Sequence, residues 1–340
     1  MKEQQGYSRL KVKVLFLVGM FTIFTGLGLF QFEVCQALTE ERCNFCSKTS
    51  RAAYIACMHE AGDDYWIAIG NCNNLSDPAE RAKCKQDARK EILPATGDCR
   101  DQFHARLEIC DELGEGPYDL QLDPAQFVDP DDIGGSVPAN LYFPLVPGTV
   151  WVYEGETEEG TETITVTVAD DTKDIEYPAE SGLIVTCRVV HDVVKLDGRV
   201  IEDTYDWYAQ DTEENVWYFG EIAQDFEDGE LVGIEGSWKA GVDGAKPGVI
   251  MEVDPQVGDI YRQEFFLGDA EDMGAVVSRG DESVTVPFGT YTADVLKTKD
   301  FTPIEPDVFE FKYYAPGVGL ILEVNPDTGD RVELINKTTP

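Results

Sequence analysis

The sequence is poor in positive charge and in histidine. Of its 340 residues, 27 are Lys or Arg and 65 are Asp or Glu, which gives a formal net charge of −38. Nucleic-acid binding needs clustered Lys and Arg, so this balance argues against nucleic acid as a partner. It also argues against docking on an anionic membrane surface. The chain has only 3 histidines, too few to favour a multi-histidine metal centre.

Several signatures of catalysis are missing as well. The sequence contains no G-x-S-x-G, no H-E-x-x-H and no P-loop. A pair of carboxylates can cleave glycosides, but with 51 acidic residues in the segment 111–340 no pair stands out. We therefore expect a non-enzymatic protein.

The acidity is confined to one part of the chain. Residues 111–340 hold 51 acidic and 13 basic residues, whereas residues 38–110 hold 12 and 10. Hydrophobic residues still make up 43 % of the sequence, with 17 Phe, 14 Tyr and 5 Trp. This composition is apolar enough for one or two packed cores and is unlike that of an acidic disordered tail.

Residues 1–37 have the layout of a secretory signal peptide. Basic residues precede a nearly unbroken apolar run over residues 14–30, and Cys35 and Ala37 stand at the −3 and −1 positions of a cleavage site. The alternative is an uncleaved anchor, since a run of about 17 apolar residues reaches the lower limit of a membrane span. We expect cleavage after Ala37, which would leave no stable membrane span and a secreted or periplasmic chain.

Export accounts for the cysteines, because disulfides persist in oxidising compartments. Cys43 and Cys46 form a CxxC pair, but no second CxxC or paired His follows at zinc-ligand spacing. The pairing is left open: if all the mature cysteines pair, Cys187 must bond to one of those before residue 111. The disulfide candidates are Cys43, Cys46, Cys57, Cys72, Cys84, Cys99, Cys110 and Cys187.

Residues 38–114 are predicted to form a small helical module of three or four helices tied by disulfides. Ser76 or Asp77 supplies the cap and Pro78 the first-turn proline of a helix start. The cysteine spacings place successive cysteines near one helix face or on facing helices of a hairpin. A module of this size is marginal without such bonds.

The rest of the chain has the pattern of strands. Residues 115–140, rich in Pro and Asp, are interpreted as a linker, and residues 141–340 as an acidic antiparallel β domain of about ten or eleven strands. Short runs alternate with a period of two, and turn signals such as Asp197-Gly198 separate them. The predicted fold class is α+β: a small disulfide-tied helical module followed by an antiparallel all-β half-barrel or sandwich.

Two motifs in the β region resemble a group of secreted bacterial proteins. One is YFPL followed by G, W and Y over residues 142–153, and the other is YYAPGVGL at residues 313–320. The group resembles the LolA/LolB-like envelope proteins, which curl an antiparallel sheet into a half-barrel with an apolar concave face. The resemblance covers residues 140–335 and implies such a half-barrel; it implies no catalytic residue.

Aromatic side chains concentrate in residues 203–221, and strand alternation places Asp206 and Tyr208 on the same face there. Such a surface can stack on an apolar ligand or a sugar; the alternative is cross-strand packing in a β core. Trp238 lies in a glycine-rich loop, residues 236–248, which either anchors a ligand or caps the barrel. The candidate ligand-binding residues are Tyr205, Trp207, Tyr208, Trp217, Tyr218 and Trp238.

Short groups of carboxylates offer the oxygen ligands that Ca²⁺ prefers. No stretch matches an EF-hand loop, so a solvated acidic surface is the competing interpretation. We expect no other cofactor. The candidate calcium ligands are Asp129, Asp131, Asp132, Asp327 and Asp330.

These features lead to three functional hypotheses. The first is a secreted or periplasmic, non-enzymatic binding or scaffold protein that holds an apolar or lipid-like ligand on a concave β face. Its partner is that small molecule or another envelope protein. The second is a structural or adhesive surface protein stabilised by Ca²⁺, and the third is a polysaccharide hydrolase.

Overall fold

The computed structural model describes residues 44–157 and 159–340, and these belong to one compact unit. The predicted signal peptide, residues 1–37, and Cys43 lie outside the described residues. Two long helices come first, α1 (Phe45–Asn73) and α2 (Pro78–Leu113). Within the described ranges, no helix combines the length and the apolar character needed to cross a membrane.

Three disulfides join α1 and α2 into an antiparallel hairpin. The bonds are nested, so that the outer one connects the start of α1 to the end of α2 and the inner one lies beside the connecting turn. Asp77 caps α2 as the sequence predicted, because its Oδ1 accepts hydrogen bonds from the N–H groups of Ala79 and Glu80 at 2.8 Å. The disulfides are Cys46–Cys110, Cys57–Cys99 and Cys72–Cys84.

In its described residues, 44–114, the module contains two helices where the sequence predicted three or four. Helix α2 runs without a break from Pro78 to Leu113 and continues through Pro94. The Thr96 hydroxyl donates a hydrogen bond to the Ile92 carbonyl oxygen at 2.9 Å, inside the turn that the proline weakens. Disulfides on both sides of that turn hold α2 against α1, so one missing backbone hydrogen bond does not end the helix.

The described part of the chain contains 17 strands. The sequence predicted about ten or eleven, because strands of two or three residues are too short to show alternation. In chain order they are β1 (Val150–Thr157), β2 (Gly160–Glu176), β3 (Ile184–Leu196), β4 (Arg199–Gln210), β5 (Val216–Glu227), β6 (Glu230–Gly233), β7 (Trp238–Lys239), β8 (Lys246–Met251), β9 (Ile260–Arg262), β10 (Glu264–Phe265), β11 (Met273–Arg279), β12 (Val284–Val286), β13 (Gly289–Tyr291), β14 (Leu296–Phe301), β15 (Phe309–Ala315), β16 (Gly319–Val324) and β17 (Arg331–Thr338).

Fifteen of these strands form one antiparallel sheet. Its path runs β10-β8-β5-β4-β3-β2-β1-β17-β16-β15-β14-β11-β9, with β6 and β7 paired to β5, while β12 and β13 form a separate hairpin. The strands at the two ends of the path, β9 and β10, are separated in the chain by Gln263 alone. The sheet therefore curves back on itself, so the predicted β domain is nearly closed and barrel-like rather than a sandwich.

Backbone contact between β8 and the β9–β10 junction closes the sheet. Gly248 lies so near this junction that an added Cβ would be 2.4 Å from Arg262 O and 2.5 Å from the Gln263 carbonyl carbon. The Gln263 N–H donates to the Asp272 carbonyl oxygen at 2.8 Å, and its Nε2 donates to Asp300 Oδ2 at 3.2 Å. A side chain at position 248 would separate these strands.

Cys187 is a correction to the predicted disulfide framework. It lies on β3 as a buried free thiol, within the hydrophobic core of the sheet. Burial raises the pKa of this thiol, and the charge of Asp174 raises it further, so the sulfur stays protonated. The sheet packs this cysteine as a small apolar side chain.

A buried ion pair joins α2 to the sheet. Arg106 Nη2 lies 2.7 Å from Glu271 Oε1, and Arg106 Nε lies 3.0 Å from Glu271 Oε2. The Gly268 N–H also donates to Glu271, at 2.8 Å. Nearby, Gln102 Nε2 donates to the Ile304 carbonyl oxygen at 2.9 Å. Buried charges need such partners, so this pair fixes how the helical hairpin attaches to the sheet.

We expect Gly248→Ala to destabilise the fold, because its methyl group would overlap backbone atoms that cannot move without separating β8 from β9. The expected loss is about 1–3 kcal/mol of unfolding free energy, the usual cost of overpacking. Urea denaturation followed by tryptophan fluorescence measures it.

Gly62→Ala is the matched control for this substitution. Gly62 lies in α1 with nothing within 4 Å of an added Cβ. Alanine should stabilise that helix by up to about 1 kcal/mol. A Gly248→Ala variant as stable as the wild type would contradict the closure described here.

Candidate ligand-binding cavity

A cavity of about 240 Å³ lies inside the curved sheet. Strands β4, β3, β2, β1, β17, β16, β15 and β14, which are consecutive along the sheet, supply most of its wall. Much of that wall is apolar, including Trp151, Val166, Val168, Val190, Leu320 and Val332. The ionisable side chains that reach the cavity are Asp192, Asp206, Asp300, Lys312 and Glu323.

Two carboxylates already neutralise Lys312. Its Nζ lies 3.3 Å from Asp300 Oδ2 and 3.7 Å from Glu323 Oε2. The strand register explains this arrangement, since Lys312 on β15 lies opposite Thr298 on β14 and opposite Glu323 on β16. Burial lowers the pKa of Lys312, but the acidic groups around it, Asp300 and Glu323 foremost, together raise it by more, so the ammonium group stays charged.

Asp192 and Asp206 lie on the side of the cavity formed by β3 and β4. Asp192 faces Thr204, which is two residues before Asp206, so the two aspartates are diagonal neighbours on the inward face. Asp206 Oδ1 accepts a hydrogen bond from the Tyr218 hydroxyl at 2.7 Å. Asp192 Oδ1 is shielded from solvent and has no hydrogen-bond partner among the described residues.

Exclusion of water raises the pKa of several carboxyl groups here. Burial and the neighbouring charges of Asp206 and Glu202 raise the pKa of Asp192 to about 8. Burial raises the pKa of Asp206 to about 7, against the opposing effect of its hydrogen bond from Tyr218. These groups therefore change charge near neutral pH rather than near pH 4.

Three of the predicted ligand-binding residues form one aromatic cluster beside the cavity. Tyr208 lines the cavity and stacks on Tyr218, with ring centroids 4.7 Å apart. Trp238 meets Tyr218 edge-on at 5.3 Å. All three side chains are more than nine-tenths buried. The structure thus packs them in the core and leaves Tyr208 as the member that reaches the cavity.

The other three predicted ligand-binding residues do not line this cavity. Tyr205 is 38 % exposed and stacks on His191 with centroids 4.3 Å apart. Trp207 is buried, 5 % exposed. Trp217 Nε1 donates a hydrogen bond to Asp211 Oδ2 at 2.9 Å. The six aromatic residues therefore do not form a single platform.

Three of the five predicted calcium ligands accept hydrogen bonds within the described chain. Asp131 Oδ1 accepts a hydrogen bond from the buried Arg188 Nη2 at 2.7 Å. Asp129 and Asp132 accept hydrogen bonds from groups within residues 131–136. Three or more His, Cys, Asp or Glu side chains placed to hold a metal do not occur in residues 44–157 and 159–340. Calcium binding stays a prediction. The turn between β16 and β17 contains Asp327 and Asp330.

Sequence reasoning did not single out Asp192, Lys312 or Glu323. The available signal was a charged residue on the apolar face of an alternating strand, as with Asp192 two positions after Val190. That signal becomes meaningful only when the inward face is known, and the inward face depends on how the sheet closes.

The chain shows little similarity to known proteins. No family model matches it, and no curated protein matches it. Among solved structures it is similar to a putative lipoprotein from Parabacteroides distasonis, with 13 % identity and a TM-score of 0.27. That match covers 59 % of this chain and 100 % of the other. A TM-score this low supports no conclusion about the fold or the function of the present chain.

We expect thermal stability to fall as the pH rises from about 5 to about 9. The folded state binds protons that the unfolded state, with carboxyl pKa values near 4, has already lost. This stabilisation is complete below about pH 4 and disappears as the pH passes through the folded pKa values of about 7 and 8. Asp192→Asn should flatten the profile, because it removes one of the groups whose pKa is raised in the folded state. Each pKa unit corresponds to about 1.4 kcal/mol. Calorimetric melting at constant ionic strength measures it.

Asp228→Asn is the matched control, because it makes the same chemical change at a turn position that is 95 % exposed. Asparagine also tolerates the positive φ of 51° there. A melting temperature that rises over this pH interval would contradict the expectation. So would equal slopes for the two variants.

Proposed function

We propose that this chain is an extracytoplasmic, non-enzymatic binding protein that holds a small, largely apolar molecule inside its sheet. The observation that carries the proposal is the cavity, which has an apolar wall and a few ionisable groups. Small-molecule sites typically combine a hydrophobic and aromatic lining with a small number of polar groups that orient the ligand.

The disulfides support a location outside the cytoplasm. All three join the two helices of the hairpin, and such bonds persist in oxidising compartments. The signal peptide predicted for residues 1–37 agrees with this location.

The size of the cavity narrows the class of ligand. Sites for drug-sized molecules measure about 300–1,000 Å³, and this cavity measures about 240 Å³. A lipid with two long acyl chains would need considerably more room. The cavity therefore favours a single small amphiphile over a membrane lipid.

Native mass spectrometry of the full chain, purified from its own host, tests the proposal. We expect the folded wild type to carry a bound molecule that is released on unfolding. Val166→Phe should lose most of it, because Val166 lines the cavity and lies opposite Asp192 on the neighbouring strand. The larger side chain would fill the space that the ligand occupies.

Val193→Phe is the matched control, since strand alternation places Val193 on the face opposite to Asp192. It should retain the molecule, and circular dichroism should show that both variants are folded. The proposal fails if the wild type carries nothing, or if Val166→Phe carries as much as Val193→Phe.

A further inference from the structure

We infer that the molecule held in this cavity carries a protonated amine, bound by Asp192 and Asp206, with its apolar part against the wall formed by Val166, Val190 and Leu320. This inference rests on the function proposed above and adds the chemical class of the ligand. It follows from the excess of acidic groups in the cavity, from the unpaired acceptor Asp192 Oδ1 and from the aromatic part of the wall.

Negative groups outnumber positive ones among the residues that line the cavity. Lys312 is matched by Asp300 and Glu323, both within 4 Å of its ammonium nitrogen. Asp192 and Asp206 have no cation of their own among the cavity-lining residues. A ligand carboxylate, such as that of a fatty acid, would add to this excess of acidic groups and would raise their pKa values further. A cation is the complementary charge.

Hydrogen-bonding capacity leads to the same conclusion. Asp192 Oδ1 is shielded from solvent and has no hydrogen-bond partner among the described residues, and no other cavity-lining side chain has such an atom. Buried polar atoms in proteins are usually paired. Asp206, only 9 % exposed, stands diagonally beside it on the adjoining strand. A donor placed between the two aspartates would satisfy Asp192, and an ammonium group brings three N–H donors.

Two aromatic donors of the wall, those of Trp151 and Tyr153, are used by the protein itself. Trp151 Nε1 donates to the Val318 carbonyl oxygen at 2.7 Å, and the Tyr153 hydroxyl donates to the Leu320 carbonyl oxygen at 3.1 Å. These side chains therefore contribute apolar surface to the cavity rather than donors for an anionic ligand. Ring faces also attract cations, so the same wall tolerates an amine.

Protonation of the aspartates links ligand binding to proton release. Burial raises the pKa of Asp192 to about 8 and that of Asp206 to about 7. An arriving ammonium group favours the charged carboxylates and so lowers these pKa values. Near pH 7 the complex should therefore release protons to the buffer, whereas a neutral ligand of the same shape should not.

Isothermal titration calorimetry of the full chain with 2-phenylethylamine, 2-phenylethanol and phenylacetate tests the inference. The three probes share one ring and differ in their polar end. We expect the amine to bind roughly 10- to 100-fold more tightly than the alcohol, the range for a charge-assisted hydrogen bond. Phenylacetate should show no measurable binding.

Asp192→Asn should reduce the affinity for the amine by about tenfold, toward that for the alcohol, because Asp206 alone then remains to balance the ammonium charge. Asp228→Asn, which also removes one negative charge, should alter neither. If Asp192→Asn does not fold, proton release decides: titration of the wild type with the amine in two buffers of different ionisation enthalpy should show release near pH 7.

The possible failures are distinguishable. Equal affinities for amine and alcohol in the wild type would overturn the amine inference and leave the proposed function standing. Amine binding without proton release would overturn it too, because the buried aspartates would then not be the groups engaged. If no probe binds and the host-purified protein carries no molecule, the inference and the proposed function fall together.

Discussion

The near closure of the sheet is the constraint on which the rest of the structure depends. Strands β9 and β10 are joined through one residue, Gln263, yet they occupy opposite ends of the strand path. A flat sheet cannot meet both conditions. Curvature must bring β8 against this junction, and the absence of a side chain at Gly248 allows the backbones to approach. Once the sheet has curved, one face of each strand is inside, and the alternation of side chains decides what the interior contains.

Enclosure turns a polar residue on the inward face into an energetic problem. In water a carboxylate or an ammonium group is solvated, whereas inside the sheet it needs a partner or a proton. The charge of Lys312 is paired with Asp300 and Glu323 on adjacent strands. The charges of Arg106 and Glu271 are paired with each other where the helices attach to the sheet. Asp192 is an exception, because its Oδ1 has no donor among the described residues. Because this acceptor lies in the cavity wall, a bound ligand can supply the missing donor.

Local chemistry was enough to predict the helix start at Ser76-Asp77-Pro78, a disulfide-tied helical module and the turn at Asp197-Gly198, where both residues have positive φ. The continuation of α2 through Pro94 was not predictable, because disulfides distant in sequence hold the two halves of the helix in line. Alternation placed Asp206 and Tyr208 on one face, and both line the cavity. The role of Asp192 could not be predicted, because its surroundings come from strands that only the closure of the sheet brings together.

The carboxyl groups that produce the net charge of −38 therefore fall into two classes, those outside the sheet and those inside it. Carboxylates on the outer face are hydrated, and salt screens them over about 8–10 Å, so they affect solubility and association but discriminate little between ligands. Carboxyl groups inside the sheet are neither hydrated nor screened to that extent, so a proton, Lys312 or a bound cation must balance each of them. In so acidic a chain, selectivity for an amine depends on the carboxyl groups enclosed by the sheet and not on the overall composition. Removing an outer carboxylate changes the total charge by as much as removing an inner one, but it leaves the charge balance inside the sheet unchanged.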